Sequence, residues 1–302
     1  MKKRLITGIA YIGVIVGFFF LRNIHPWFFG ILVYAFSLIG TYEMVHAFSF
    51  RKAREDGSLE EPAFSMSAAQ KVSVYAYAVL FTPVYYLVEY LFPSQGFRGL
   101  LNLSFLFGLV LLCLLVFDHK RSSLQGAGGA MLCGFYPTVI LATMLLANDL
   151  PAGSTLALLI IFVISPVADT FAFVVGSIFK GKKLCPNISP NKTISGAVGG
   201  VVFGIGASVL LYWLYTLGSD YVYTGWGSEY AWAPWLVFAL IGLVASVLTE
   251  FGDLAESIIK RKVGIKDMGK LLPGHGGILD RIDGTLFAST FVYIVFELFV
   301  LM

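Results

Sequence analysis

The chain is short of charge. Only 13% of its 302 residues are Asp, Glu, Lys or Arg, against 58% hydrophobic, where a soluble domain carries roughly a quarter charged. Mean hydropathy is +0.82, and long apolar runs recur from one end to the other, which excludes a globular domain with a single anchor. The alternating pattern of a membrane barrel is absent as well. Lipid cannot satisfy open strand edges, so the expected fold is all-α: a polytopic integral membrane protein.

Other absences narrow the chemistry. Cys113, Cys133 and Cys185 are the three cysteines, and they suggest neither a disulfide framework nor a thiolate metal site. Without a GxxxxGK[ST] loop the chain is not a P-loop enzyme. Without a Gly-x-Ser-x-Gly elbow, acyl hydrolysis has no candidate nucleophile. No internal repeat stands out, so residues 1–302 are read as one membrane domain. The opening MKKRLITGIAYIGVIVGFFFL has a basic start and an apolar run but no small-x-small cleavage site, and is read as an uncleaved first helix.

Nine helices are expected, near 5–21, 26–48, 72–92, 99–117, 127–147, 155–179, 194–217, 234–259 and 279–301. The third is weakened by Pro83 and Glu89. This ladder puts all but Arg22 and Arg98 of the 21 Lys and Arg residues on one side. The positive-inside rule then places the N-terminus and the basic loops in the cytosol, with Met302 outside. A multi-pass protein of the cell inner (plasma) membrane is expected. Its loops 180–193 and 260–278 are expected to be cytosolic and to contribute to whatever site the protein carries. The mixed-charge segment 51–70 reads as a solvated loop or surface helix.

Charge also occurs where lipid should be. Asp169 lies eleven residues before Lys180, or roughly 16 Å along a helix, near the bilayer midplane. An ionised carboxylate costs about 2.5–3.5 kcal/mol there on insertion scales, so it should face a polar cavity or a cation. Ser246, Glu250, Asp253 and Ser257 form one polar stripe on the eighth helix. The bland alternative is a solvent-facing extension with its acids paired to Lys or Arg. Pro273–Gly277 breaks the chain before Asp280 and Asp283, one turn apart at the start of the ninth helix. His275 is expected to be exposed, as loop filler or ligand. Carboxylates without clustered Cys or His favour Mg2+ over zinc, and the surrounding Lys and Arg favour phosphate. That is the equipment of phosphoryl or nucleotidyl transfer.

The stretch from Ser257 to Asp283 closely resembles the C-terminal signature of the phosphatidate cytidylyltransferases, also called CDP-diacylglycerol synthases. The matching positions are Ser257, Lys260-Arg261, Lys266-Asp267, Pro273-Gly274-His275-Gly276-Gly277 and Asp280-Arg281 with Asp283. ADTFAFVVGSIFKGKK and ISPNKT are similar to a second conserved region of that family, through Asp169, Gly176, Gly181, Lys182, Ser189, Pro190, Lys192 and Thr193. Where the family has an aromatic residue and Glu before the next Gly, this chain has Ile194 and Ser195. The resemblance implies that CTP and phosphatidate give CDP-diacylglycerol and pyrophosphate. It implies a metal centre on Asp253 and Asp280, with Mg2+ and room for a second cation such as K+. Asp283, Lys260, Arg261 and Asp169 complete the expected catalytic set. Lys192, Ser257, Lys266, Asp267, His275, Gly276 and Arg281 are the expected substrate-binding residues. Membrane lipid is the other implied partner, nucleic acid is not one, and a homodimer is implied.

Two rivals use related features. A CDP-alcohol phosphotransferase needs Asp-Gly-x-x-Ala-Arg, but Asp283-Gly284 is followed by Thr285, Leu286 and Phe287. A cation-coupled transporter could use Asp169 and Asp253 but has no need of a dense Lys/Arg/His loop.

Overall fold

The computed structural model describes residues 2–51, 62, 64–219 and 222–300, without the side chains of residues 2–5. Most of the mixed-charge segment (52–61 and 63) and Met302 lie outside the described residues. Among the described residues there are nine apolar helices. They are α1 Lys2–Leu21, α2 Trp27–Phe48, α3 Ala68–Leu91 and α4 Gly96–Phe117, then α5 Leu124–Asn148, α6 Ser154–Phe179, α7 Ile194–Gly218, α8 Ala233–Val263 and α9 Leu279–Val300. Among the described residues α2 to α9 are long and apolar enough to cross a membrane, and Ile6–Leu21 of α1 forms a shorter apolar helix. The protein is an all-α multi-pass membrane protein.

The third helix forms despite Pro83 in its interior. Its other doubtful residue, Glu89, accepts the backbone N–H groups of Ser94 at 2.8 Å and Gly96 at 2.9 Å, closing the turn into α4. Three local features differ from the sequence expectation. The 180–193 loop contains a two-stranded antiparallel hairpin, β1 Lys183–Cys185 with β2 Ser189–Thr193. Helix α8 continues to Val263, so Lys260 and Arg261 are helical and the loop starts later. Its last turn holds Lys260, Arg261 and Lys262, which complement the helix dipole. Gly264, at φ +80°, then ends it, with Ile265 N–H donating to the Lys260 carbonyl at 2.9 Å. Finally, α5 and α9 each contain a π turn, Phe135–Val139 and Phe296–Val300.

The chain divides into two compact units, 1–142 with 259–281, and 143–258 with 282–302. In the first, α2 supplies a buried core through Phe29, Leu32, Val33, Phe36 and Met44. Tyr77 on α3 stacks on Phe107 of α4 with centroids 4.3 Å apart, while Phe105, Leu109, Leu112 and Val116 on α4 stay exposed, as lipid-facing residues would. In the second unit, α6 and α7 meet along small residues four apart: Ala168, Ala172 and Gly176 against Gly196 and Gly200. A Cβ on Gly200 would stand 2.8 Å from the Ala168 carbonyl oxygen, so the two backbones approach as closely as membrane helices do. Gly284 of α9 sits in the same way against Thr249 of α8 and Ser165 of α6.

Candidate active site

In the second unit the small-residue contact turns the next position of α6, Asp169, into a cavity of 690 Å3 that also takes Lys180, Lys192, Thr193, Glu250 and Asp253 in its lining. Ser246 and Glu250 are buried, so the polar stripe of α8 faces the protein interior and is not a solvated extension. Lys192, on β2, reaches the stripe: its ammonium lies 2.6 Å from Glu250 Oε2 and 2.7 Å from Asp253 Oδ2. Ser257 donates to Asp253 Oδ1 at 3.3 Å. Asp283, whose Oδ1 accepts the N–H of Gly284 at 2.8 Å, lies within electrostatic reach of Asp169.

The hairpin delivers Lys192 because its base is closed. Thr193 caps α7 by accepting the Gly196 N–H at 3.1 Å, and Ile194 N–H donates to the Lys182 carbonyl at 3.0 Å. Ser195, which stands where the resembling family has Glu, donates its hydroxyl to the Lys180 carbonyl and helps hold that base.

In the first unit the part of the signature from 259 to 281 builds a polar cluster of its own. Lys260 Nζ lies 2.8 Å from Asp280 Oδ1, and Asp280 Oδ2 accepts the N–H groups of Met268 and Gly277, both at 2.8 Å. Three donors leave one of the roughly four acceptor positions of that carboxylate. Gly276, at φ +84°, makes the turn with Leu272 N–H donating to its carbonyl at 2.9 Å. Arg281 Nε donates to the His275 carbonyl at 3.1 Å. His275 departs from expectation: it is half-buried, its ring lies against Gly8 of α1, and its Nδ1 is buried without a hydrogen-bond partner among the described residues. Helix α1 covers it, which no local pattern around residue 275 announces. Arg261 is exposed, while Lys266 and Asp267 line an 880 Å3 groove with Leu38, Tyr42 and His46 of α2.

The sequence profile of the cytidylyltransferase family matches residues 2–299. The chain belongs to the cytidylyltransferase family. It is 36% identical over 186 residues to the phosphatidate cytidylyltransferase of Brucella abortus, a match covering 62% of each chain. To that of Mycobacterium bovis it is 32% identical over 205 residues, 63% of this chain and 62% of the relative. To that of Bacillus subtilis it is 40% identical over 131 residues, 43% of this chain and 44% of the relative. The chain thus spans about 62% of the length of the first two of these curated relatives.

Cytidylyl transfer is chemistry in which a divalent cation neutralises phosphate charge, and the donor set here fits a hard one. Glu250 and Asp253 present carboxylate oxygens around a place that a cation, the Lys192 ammonium, already fills. Among the described residues no three or more His, Cys, Asp or Glu stand together as a complete metal cage.

Proposed function

We propose that this protein transfers the cytidylyl group of CTP to phosphatidate, giving CDP-diacylglycerol and pyrophosphate. The observation that carries the reading is the Lys192 ammonium bridging Glu250 and Asp253 in a cavity walled by acids and bases, inside a membrane helix bundle of the cytidylyltransferase family. A phosphate oxygen of phosphatidate attacks the α-phosphorus of CTP, the bond from that phosphorus to the β-phosphate bridging oxygen breaks, and pyrophosphate leaves with the bond's electrons. The nucleophile is already an anion, so no general base is required.

Asp253 and Asp280 are the residues we assign to a divalent cation, Mg2+, beside which a second cation such as K+ could be held. When bound, the metal supplies charge neutralisation on the reacting phosphates. Lys260, Arg261, Lys266 and Arg281, with Lys192, bind the triphosphate as charge-assisted donors. Asp169 and Asp283 set the acidic field of the cavity. Ser257 orients Asp253, and Asp267, His275 and Gly276 shape the substrate loop. The distribution of Lys and Arg supports a cytosolic position for these loops at the inner membrane, where CTP is found. The family resemblance adds a homodimer to the same reading. Purified protein in lipid should release pyrophosphate from CTP only when phosphatidate and a divalent cation are both present. Release without lipid would overturn the reading, and cation-driven substrate uptake into vesicles would favour a transporter instead.

A further inference from the structure

The first half of the chain carries a residue on which the signature turn depends. Glu43, on α2, is only 3% exposed, and its two carboxylate oxygens accept the N–H groups of Ile278 and Leu279, each at 3.0 Å. These donors open α9 and have no partner within their own helix. The acceptor comes from 235 positions earlier in the chain. A buried carboxylate is costly unless it is hydrogen-bonded, and this one is spent on a single turn. Two glycines make room for it, since a Cβ on either Gly269 or Gly277 would overlap the Glu43 carboxylate. The adjoining donor, Gly277 N–H, goes to Asp280 Oδ2. Glu43 and Asp280 therefore pin the same turn through consecutive residues.

We propose that Glu43 is a positioning residue for cytidylyl transfer: it fixes the Pro273–Gly277 turn and the start of α9, and through them the Asp280 carboxylate and its Lys260 partner. The proposal rests on the function proposed above. Glu89 provides a control in the same unit, because it also accepts two backbone N–H groups at the start of a helix, those of Ser94 and Gly96, both outside the signature. Glu43→Gln keeps the size of the side chain and loses one acceptor and the charge. Its turnover should fall roughly 10- to 100-fold, as when a partner that orients a metal ligand is lost. The CTP KM should stay within about threefold, because misplacement acts on the reacting geometry more than on binding.

Glu89→Gln should keep wild-type turnover per folded protein while losing comparable thermal stability. Hydrogen exchange at the amides of 277–280 should accelerate in Glu43→Gln and not in Glu89→Gln. Unchanged exchange in Glu43→Gln, or equal losses of turnover in the two variants, would overturn the proposal. So would a raised CTP KM with turnover intact. Absence of cytidylyl transfer by the wild type would instead sink the underlying function, and the exchange measurement would still decide whether Glu43 holds the turn.

Discussion

Lys192 sits between Glu250 and Asp253, and its pKa is pulled two ways. Burial lowers it, but Asp253 and Glu250 outweigh burial and hold the ammonium above its ordinary value of 10.5. A lysine raised in this way contributes stability that is complete below the unfolded pKa. That contribution is lost only as pH rises through the higher folded value. Lys192→Met leaves Glu250 as a buried, unpaired charge and should destabilise by about 3–5 kcal/mol. The cost should be the same at any pH between about 6 and 9. Adding Glu250→Gln should recover much of the loss. Thermal unfolding of the two single variants and the double variant checks this, and additive losses would mean that the pair is not coupled. Asp253→Asn and Asp280→Asn should each abolish turnover while inserting normally, because each removes formal charge from an assigned metal ligand. The two should differ in exchange at Met268 and Gly277, which loosen only without the Asp280 carboxylate. Near-normal turnover in either variant would remove that residue from the metal assignment.

Helices are the level at which the sequence was most readable, because continuous apolar runs and the alternation of basic loops mark them directly. Among the described residues all nine appear, α3 included, and Glu89 proves to be the acceptor that closes its turn into α4. The β1–β2 hairpin, the extension of α8 to Val263 and the two π turns were not legible. Each depends on local hydrogen bonds that apolar periodicity does not encode. The polar stripe of α8 and Asp169 could be read as a site because charge in a membrane helix requires a partner. Glu43 could not. It is an acid in an apolar helix by the same rule, but its partners are backbone amides from the far end of the chain. The half-burial of His275 depends likewise on α1. The small-residue seam of α6 and α7 gives a prediction at this scale. Gly200→Val puts side-chain atoms against the Ala168 carbonyl and should cost about 1–3 kcal/mol by overpacking. Turnover should fall as the seam opens and Asp169 shifts. Wild-type melting and turnover for this variant would show that the seam tolerates separation.

For the molecule as a whole, the division of Lys and Arg between alternate loops predicts one topology. Single cysteines at Ser228 and Lys270, both exposed, in a background lacking Cys113, Cys133 and Cys185, should label from opposite faces of the membrane, with Lys270 on the cytosolic face. Labelling from the same face would break the order of spans. Lys270 is a better reporter than Gly269, where any side chain would meet Glu43. The central claim is that a membrane lipid's phosphate attacks CTP, and isotope position tests it most directly. Phosphatidate carrying 18O in its phosphate should be incubated with CTP, a divalent cation and the reconstituted protein, and both products weighed by mass spectrometry. The account predicts CDP-diacylglycerol that retains every 18O and pyrophosphate that carries none. Label in the pyrophosphate, or CDP-diacylglycerol formed from diacylglycerol in place of phosphatidate, would contradict it.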